Sequence, residues 1–422
     1  MKYNSKLSKF IFLIGMTMVF NEDQEMIFKT AYNLSKDFPL DYWMEKDLKN
    51  EFAAEFWDAI TEHGFLGMVI PEEYGGAGYG LSELISGIEG LVRGGAGMAG
   101  VWYLMLTEIF LALPIVRYGT PEQKERYLPR IARGEVEGAL ALTEPDVGSN
   151  TLSIKTFARR EGDGYVVSGR KVFISGIDRA SSFILVARTK PIEEVDRKTY
   201  GLTLFIVDMP DKRVRYKPIP KHGINYSHSC EVYIDELYIP EENVLGPVDA
   251  GWYVLLDILN PERIGFAIGA VSIGYLALEY AVEYAKKRVV FGRPIGSYQA
   301  IQHGLARPYS FLEGAKLLAY RAASTYDSIP PPQNPKDFND VVRRSDNLKA
   351  VGRESNIAKY VAVETGIEAV YWAMQAFGGY GYAREFHVER WWREINLLRL
   401  APVTQQLALN YIARHVLGLP RG

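Results

Sequence analysis

Ala141-Leu142-Thr143-Glu144-Pro145-Asp146-Val147-Gly148-Ser149-Asn150 stands where the texture of the chain changes. Before it, apolar residues recur at helical spacing, and after it they alternate. The stretch ends in Gly148, Ser149 and Asn150, which are small, flexible and rich in hydrogen-bonding groups. Such a loop can bring backbone N–H groups and hydroxyls against a polar ring or a phosphate.

Residues 21-140 read as helices, as in Phe52-Ala53-Ala54-Glu55-Phe56-Trp57-Asp58-Ala59-Ile60. Pro71-Glu72-Glu73-Tyr74-Gly75-Gly76-Ala77-Gly78 punctuates them with a turn. Residues 141-250 carry short period-two runs at 152–158, 165–174, 183–188, 202–207 and 230–238. Asp163-Gly164 lies between the first two runs and predicts a hairpin turn. No long helix intervenes, so the pattern predicts an antiparallel barrel or sandwich rather than a doubly wound sheet. Residues 251-422 return to helical spacing in four long runs, roughly 263–288, 298–326, 341–377 and 387–416. Ile329-Pro330-Pro331-Pro332-Gln333-Asn334-Pro335 is a connector, since successive prolines cannot continue a helix. The expected fold is therefore α+β: an N-terminal all-helical domain, a middle antiparallel β domain and a C-terminal four-helix bundle.

Residues 1-20 stand apart. Lys2, Lys6 and Lys9 precede an apolar run from Phe10 to Phe20, too short to span a bilayer as a helix. Asn21-Glu22-Asp23 follows with no small-residue cleavage site. The expectation is an upstream extension with initiation near Met16 or Met18; an N-terminal helix and a targeting segment are the alternatives.

Composition excludes several classes. The 422 residues carry a formal charge of −3, which gives no basic field for nucleic acid and no polybasic membrane tail. One cysteine, Cys230, rules out an intrachain disulfide and a multi-cysteine metal site. The six histidines lack ligand spacing, and there is no H-E-x-x-H pair, so no metal is expected. Neither a Walker loop nor the dinucleotide glycine fingerprint is present. A reducing, cytoplasmic setting fits this cysteine usage, as does any other compartment.

Five segments in order resemble the acyl-CoA dehydrogenase family of flavoproteins, over nearly all of residues 21–420. They are Ile70 to Gly78, the T-E-P-x-x-G-S loop from Thr143, Gly169-Arg170-Lys171-Val172-Phe173-Ile174-Ser175-Gly176, Arg288-Val289-Val290-Phe291-Gly292-Arg293-Pro294 with Gln299, and Gln375-Ala376-Phe377-Gly378-Gly379-Tyr380-Gly381-Tyr382. The resemblance implies non-covalent FAD, an acyl-CoA thioester substrate, a role in fatty acid β-oxidation, and an electron-transfer flavoprotein as acceptor. It also implies a homotetramer with a dimer as the minimal unit. By match to the family, Leu142, Thr143 and Ser149 lie along the flavin ring or its boundary with substrate. Phe173 covers the ring where tryptophan is common, and Ser175 meets its reactive edge. Arg288 and Gln299, with Phe291 in the same segment, serve the cofactor of a neighbouring subunit, and Gln375, Gly378, Gly379, Thr404 and Gln406 complete the cofactor set.

The chemistry demands a base. Removing an α-proton beside a thioester needs donors on the thioester oxygen and a carboxylate at the α-carbon in a dry pocket. Much of the family takes that glutamate from the last helical segment, where this chain has Pro402. Isovaleryl-CoA and long-chain acyl-CoA dehydrogenases instead take it from the first bundle helix, immediately before a substrate-binding arginine. Asn260-Pro261-Glu262-Arg263 supplies that pair, with Glu262 as base and Arg263 on substrate. The same tetrapeptide also reads as an ordinary helix start, with Asn260 as N-cap and Pro261 in the first turn. The small residues Gly265, Gly269, Ala270 and Gly274 that follow either leave room for an acyl chain or let helices pack closely. Relatives of this fold include flavin oxidases and monooxygenases, and a catalytically silent scaffold is the non-enzyme alternative.

Overall fold

The computed structural model describes residues 21–420. The expectations for residues 1-20 lie outside the described residues. The N-terminal region contains α1 (Glu22–Lys36), α2 (Leu40–Lys49), α3 (Ala54–Glu62), α4 (Leu81–Leu91), the long α5 (Met98–Tyr118) and α6 (Pro121–Ala132). Asn21 caps α1, its side chain accepting from Gln24 N–H while Gln24 reaches back to the Asn21 N–H. Within α5 the residues Met105–Ala112 form a π-helical stretch.

Eight strands form one sheet in the order β6-β7-β3-β2-β4-β5-β8, with β1 beside β4. They are β1 (Leu140–Ala141), β2 (Phe157–Glu161), β3 (Gly164–Ser175), β4 (Ser182–Arg188), β5 (Leu202–Asp208), β6 (Val214–Pro218), β7 (Ser229–Pro240) and β8 (Val244–Leu245). Pairing is antiparallel except where β4 meets β1 and the end of β2. Every residue of β4 is buried, because Ile184 and Val186 face the helical core while Phe183, Leu185 and Ala187 face the sheet's own core. That two-sided burial explains an unbroken apolar run where a one-sided strand would alternate. Three local expectations are corrected here. The hairpin loop is Gly162-Asp163, not Asp163-Gly164, with Gly162 at a φ of 58°. The run expected at 152–158 becomes a strand only at Phe157–Glu161, because 151–153 makes a 3₁₀ turn. A further strand, β6, pairs with β7.

The C-terminal region holds α7 (Gly251–Lys287), a small hairpin of β9 (Val289–Val290) and β10 (Arg293–Pro294), α8 (Gln299–Asp327), α9 (Phe338–Arg344), α10 (Leu348–Phe377), α11 (Val388–Asn396) and α12 (Gln405–Tyr411). Three long helices, α7, α8 and α10, pack together. The fourth position is not one continuous helix. It breaks between α11 and α12 at the segment carrying Pro402, whose ring and missing N–H cannot continue a helix.

The expected helix start at Asn260-Pro261 is also corrected. Pro261 lies inside α7, which runs on from Gly251. A proline there leaves the carbonyl four residues back without its donor. That carbonyl, on Asp257, accepts instead from the Tyr326 hydroxyl of α8 at 3.3 Å. The Asp257 carboxylate is held by Arg344 and the Tyr118 hydroxyl. Met98–Tyr118 and Gly251–Lys287 are long and apolar enough to cross a membrane, yet 89% of the most apolar 18-residue stretch of each is buried inside the protein. They are core helices.

Candidate active site

The Ala141–Asn150 loop is clamped onto β3. Val172 N–H donates to the Thr143 carbonyl at 2.9 Å, and Lys171 Nζ donates to the Leu142 carbonyl and to Glu144 Oε1, both at 2.9 Å. Glu144 also accepts the backbone N–H groups of Lys155 and Thr156. Burial alone would raise the Glu144 carboxyl, but Lys171 and these hydrogen bonds outweigh it and hold it below the usual range. Burial lowers the Lys171 ammonium to about 8 against the pull of Glu144. The pair had no signal in the sequence: its partners are 27 positions apart, one in a loop and one in a strand.

This clamp sets the face of β3. Between Lys171 and Ile174 the register with β7 shifts, and Phe173 within that bulge has a φ of 58° and is 63% exposed. Positive φ is costly for a bulky residue, and such strain clusters at ligand sites. Leu142 and Thr143 are half-buried beside it and Ser149 is exposed. The Ser175 hydroxyl shares a 2.8 Å hydrogen bond with Ser229.

A second surface lies wholly in the C-terminal region. A groove of about 730 Å³ is lined by Arg288, Phe291, Gln375, Gly378, Gly379 and Tyr380, among others from Tyr284 to Glu385. Gln299 opens α8 next to Tyr298, which lines the groove, but is not itself in the lining. Phe291 and Gly292 turn the β9–β10 hairpin with φ of 51° and 78°. Phe291 stands 92% exposed at its tip, an aromatic where asparagine or aspartate is the unstrained choice. A side chain added at Gly378 or Gly379 would meet nothing within 4 Å, so both leave an open floor. No lining residue comes from the middle region.

Glu262 stands in the interior of α7 and is 8% exposed. Among the described residues no hydrogen bond or ion pair to its carboxylate is found. Burial raises it to about 8, with Arg263 and Lys359 opposing. Because it lies mid-helix, the dipole effect expected at a helix start does not reach it. Arg263 Nη1 donates to Asn260 Oδ1 at 2.8 Å and to Ser355 Oγ at 3.3 Å, so the guanidinium is turned toward α10. Lys359 Nζ donates to the Val403 carbonyl at 2.5 Å and to Gln405 Oε1 at 2.7 Å, tying α10 to the Pro402 segment. Lys359 was not anticipated, since a lone lysine on a helical run carries no motif. Thr404 caps α12 through Leu407 N–H, and Gln406 is exposed.

The three regions match the descriptions "Acyl-CoA dehydrogenase, N-terminal domain" over residues 21–135, "middle domain" over 139–237 and "C-terminal domain" over 249–417. An acyl-CoA dehydrogenase of Mycobacterium tuberculosis is 35% identical over 401 residues, covering 95% of this chain and 97% of its own length. The caffeyl-CoA reductase–Etf complex subunit CarC of Acetobacterium woodii is 32% identical over 392 residues, covering 92% and 97%. The solved structure of butyryl-CoA dehydrogenase from Megasphaera elsdenii superposes with a TM-score of 0.84 at 29% identity, covering 95% of this chain and 100% of that one. The fold and site thus define a flavoprotein oxidoreductase. The chain belongs to the acyl-CoA dehydrogenase family, whose members are FAD-dependent.

The residues present fit that cofactor. Phe173 offers an exposed aromatic face to a planar ring, and the open floor at Gly378 and Gly379 beside the Arg288 guanidinium suits a diphosphate.

Proposed function

We propose that this protein removes the α-proton of an acyl-CoA thioester with Glu262 and yields the trans-2-enoyl-CoA. The observation that carries this reading is a buried carboxylate with no hydrogen-bonding partner among the described residues, raised to about 8 and so matched to abstracting a proton near neutral pH. Pro402 leaves no carboxylate at the family's other base position. Bound FAD would supply the acceptor for the β-hydride. Leu142, Thr143, Ser149, Phe173 and Ser175 would hold its ring. Arg288 and Gln299, with Phe291 in the same segment, would reach the cofactor of a neighbouring copy, and Gln375, Gly378, Gly379, Thr404 and Gln406 would complete the cofactor set. Arg263, with Ser149, would orient the thioester. The absence of middle-region residues from the Arg288 groove supports a cofactor site completed between copies, hence a homotetramer with a dimer as minimal unit. A cytoplasmic location and an electron-transfer flavoprotein as acceptor complete the reading; likeness to CarC, whose name places it in an Etf complex, supports the latter.

The same likeness favours a second direction of use. Glu262 protonated below about pH 8 can return a proton to an enoyl-CoA, so one carboxyl serves either direction. Anaerobic titration with a panel of acyl-CoAs, following the flavin absorbance, tests the proposal. Bleaching by a saturated acyl-CoA is expected. Flavin that no acyl-CoA bleaches would point to a silent scaffold, and reduced flavin that reoxidises rapidly in air would point to an oxidase.

A further inference from the structure

Ser175 closes β3 directly opposite Ser229, which opens β7, and the Gly176 N–H donates to the His228 carbonyl just beyond them. The two serine hydroxyls are 2.8 Å apart, and from their own geometry either could be the donor. A third group settles the direction. Lys221, in the segment between β6 and β7, donates from Nζ to Ser229 Oγ at 3.2 Å. It also donates to the Ile224 carbonyl at 3.0 Å and the Ser227 carbonyl at 2.5 Å. Ile224, with a φ of 58°, turns the chain at that point.

An ammonium has three N–H donors and no acceptor. Three oxygens around Nζ use all three donors, so the geometry calls for the charged form. Burial lowers the Lys221 ammonium to about 8, which leaves it charged at neutral pH. Ser229 Oγ therefore accepts from Lys221 and has one proton of its own to place. Ser229 is buried, and among the described residues its hydroxyl has no acceptor in reach but Ser175 Oγ. The donors thus run in one direction, from Lys221 to Ser229 to Ser175. Ser175 accepts on that side, and its own proton is turned away from Ser229. Serine is not β-branched, so without this relay the Ser175 hydroxyl would be free to rotate.

We propose that Lys221 and Ser229 are positioning residues that hold the Ser175 hydroxyl as a hydrogen-bond donor toward the flavin ring. The proposal rests on the reading of Ser175 as a residue at the reactive edge of bound FAD. That edge carries a nitrogen that accepts a hydrogen bond in oxidised flavin and bears a proton in reduced flavin. A hydroxyl fixed as donor therefore favours the oxidised form. A hydroxyl free to rotate can donate to one form and accept from the other, and favours neither.

The test is the midpoint potential of the flavin in the FAD-loaded protein, measured without substrate against a reference dye, so the readout is independent of turnover. Ser229→Ala should weaken the preference for oxidised over reduced FAD by roughly three- to tenfold, the worth of about one hydrogen bond. For a two-electron couple that is an upward shift of about 15–30 mV. Ser229→Thr keeps the hydroxyl and should restore the wild-type potential. Ser175→Ala should raise the potential at least as far, and adding Ser229→Ala to it should change nothing more, because the group the relay orients is gone. Should Ser229→Ala not fold, Ser229→Cys puts a weaker donor in the same place and should shift the potential in the same direction. An unmoved potential at position 229 beside a shifted Ser175→Ala overturns the relay, and so does a double variant whose shifts simply add. If Ser175→Ala itself moves nothing, the placement of Ser175 at the ring fails, and the relay with it.

Discussion

Glu262→Gln should stabilise the folded protein, and by more as the pH rises. Burial raises the Glu262 carboxyl from its ordinary value of about 4.5 to about 8. Well below the unfolded pKa both states are protonated and the carboxyl costs nothing. Between about 4.5 and 8 the unfolded chain gives up its proton while the native state keeps it. Native stability therefore falls as pH rises, by up to about 1.4 kcal/mol per pH unit, and levels off above the folded pKa. Integrated, the cost is about 1 kcal/mol at pH ~5 and about 4 kcal/mol at pH ~8. Glutamine keeps the shape and carries no such cost. Urea unfolding of the FAD-loaded wild type and variant, followed by tryptophan fluorescence, should show a midpoint gap that widens from mildly acidic to mildly alkaline buffer. A gap that stays constant, or a variant less stable at pH ~8, would refute the claim that this carboxylate is buried without a partner. Stability given up at one carboxyl is the usual signature of a site kept for chemistry.

Other positions give independent checks. Lys171→Met strands the Glu144 carboxylate in the loop beside the proposed flavin site and should cost about 3–5 kcal/mol in thermal unfolding, with weaker FAD retention. Lys359→Met removes a cation that holds the Glu262 carboxyl down, so the rising limb of kcat/KM against pH should move to higher pH; an unmoved limb would detach Lys359 from the site. Arg288→Ala should weaken FAD binding about tenfold or more, a charge-assisted contact being worth about 1.5–3 kcal/mol. Light scattering of the same variant should show partial dissociation of the oligomer, and an FAD-loaded active monomer in the wild type would contradict the shared site.

The α+β class was legible because helical spacing, alternation and helical spacing again occupy separate stretches of the chain. What escaped was decided by distant partners. Pro261 looks like a helix start, yet the Tyr326 hydroxyl, 69 positions away, takes up the Asp257 carbonyl and lets α7 run through. β6 escaped because only Val214 among its residues is buried, so it has no apolar run. The hairpin loop was misplaced by one residue because Gly162 and Gly164 flank Asp163 and either pairing looks like a turn. The break at Pro402 was readable in principle, since proline ends helices, but apolar spacing on both sides hid it. At the site, motif segments pointed to exposed Phe173, Phe291 and Gly378. The clamps around the site, Glu144 with Lys171 at the loop on β3 and Lys359 with Gln405 at the Pro402 segment, join residues that no spacing rule connects.

The central claim is that Glu262 takes the substrate proton. Stopped-flow reduction of the flavin at saturating acyl-CoA, wild type against Glu262→Gln, measures that step most directly. The account predicts a folded, FAD-loaded variant slower by roughly 10²–10⁴-fold or more. Reduction at a near-wild-type rate would contradict it.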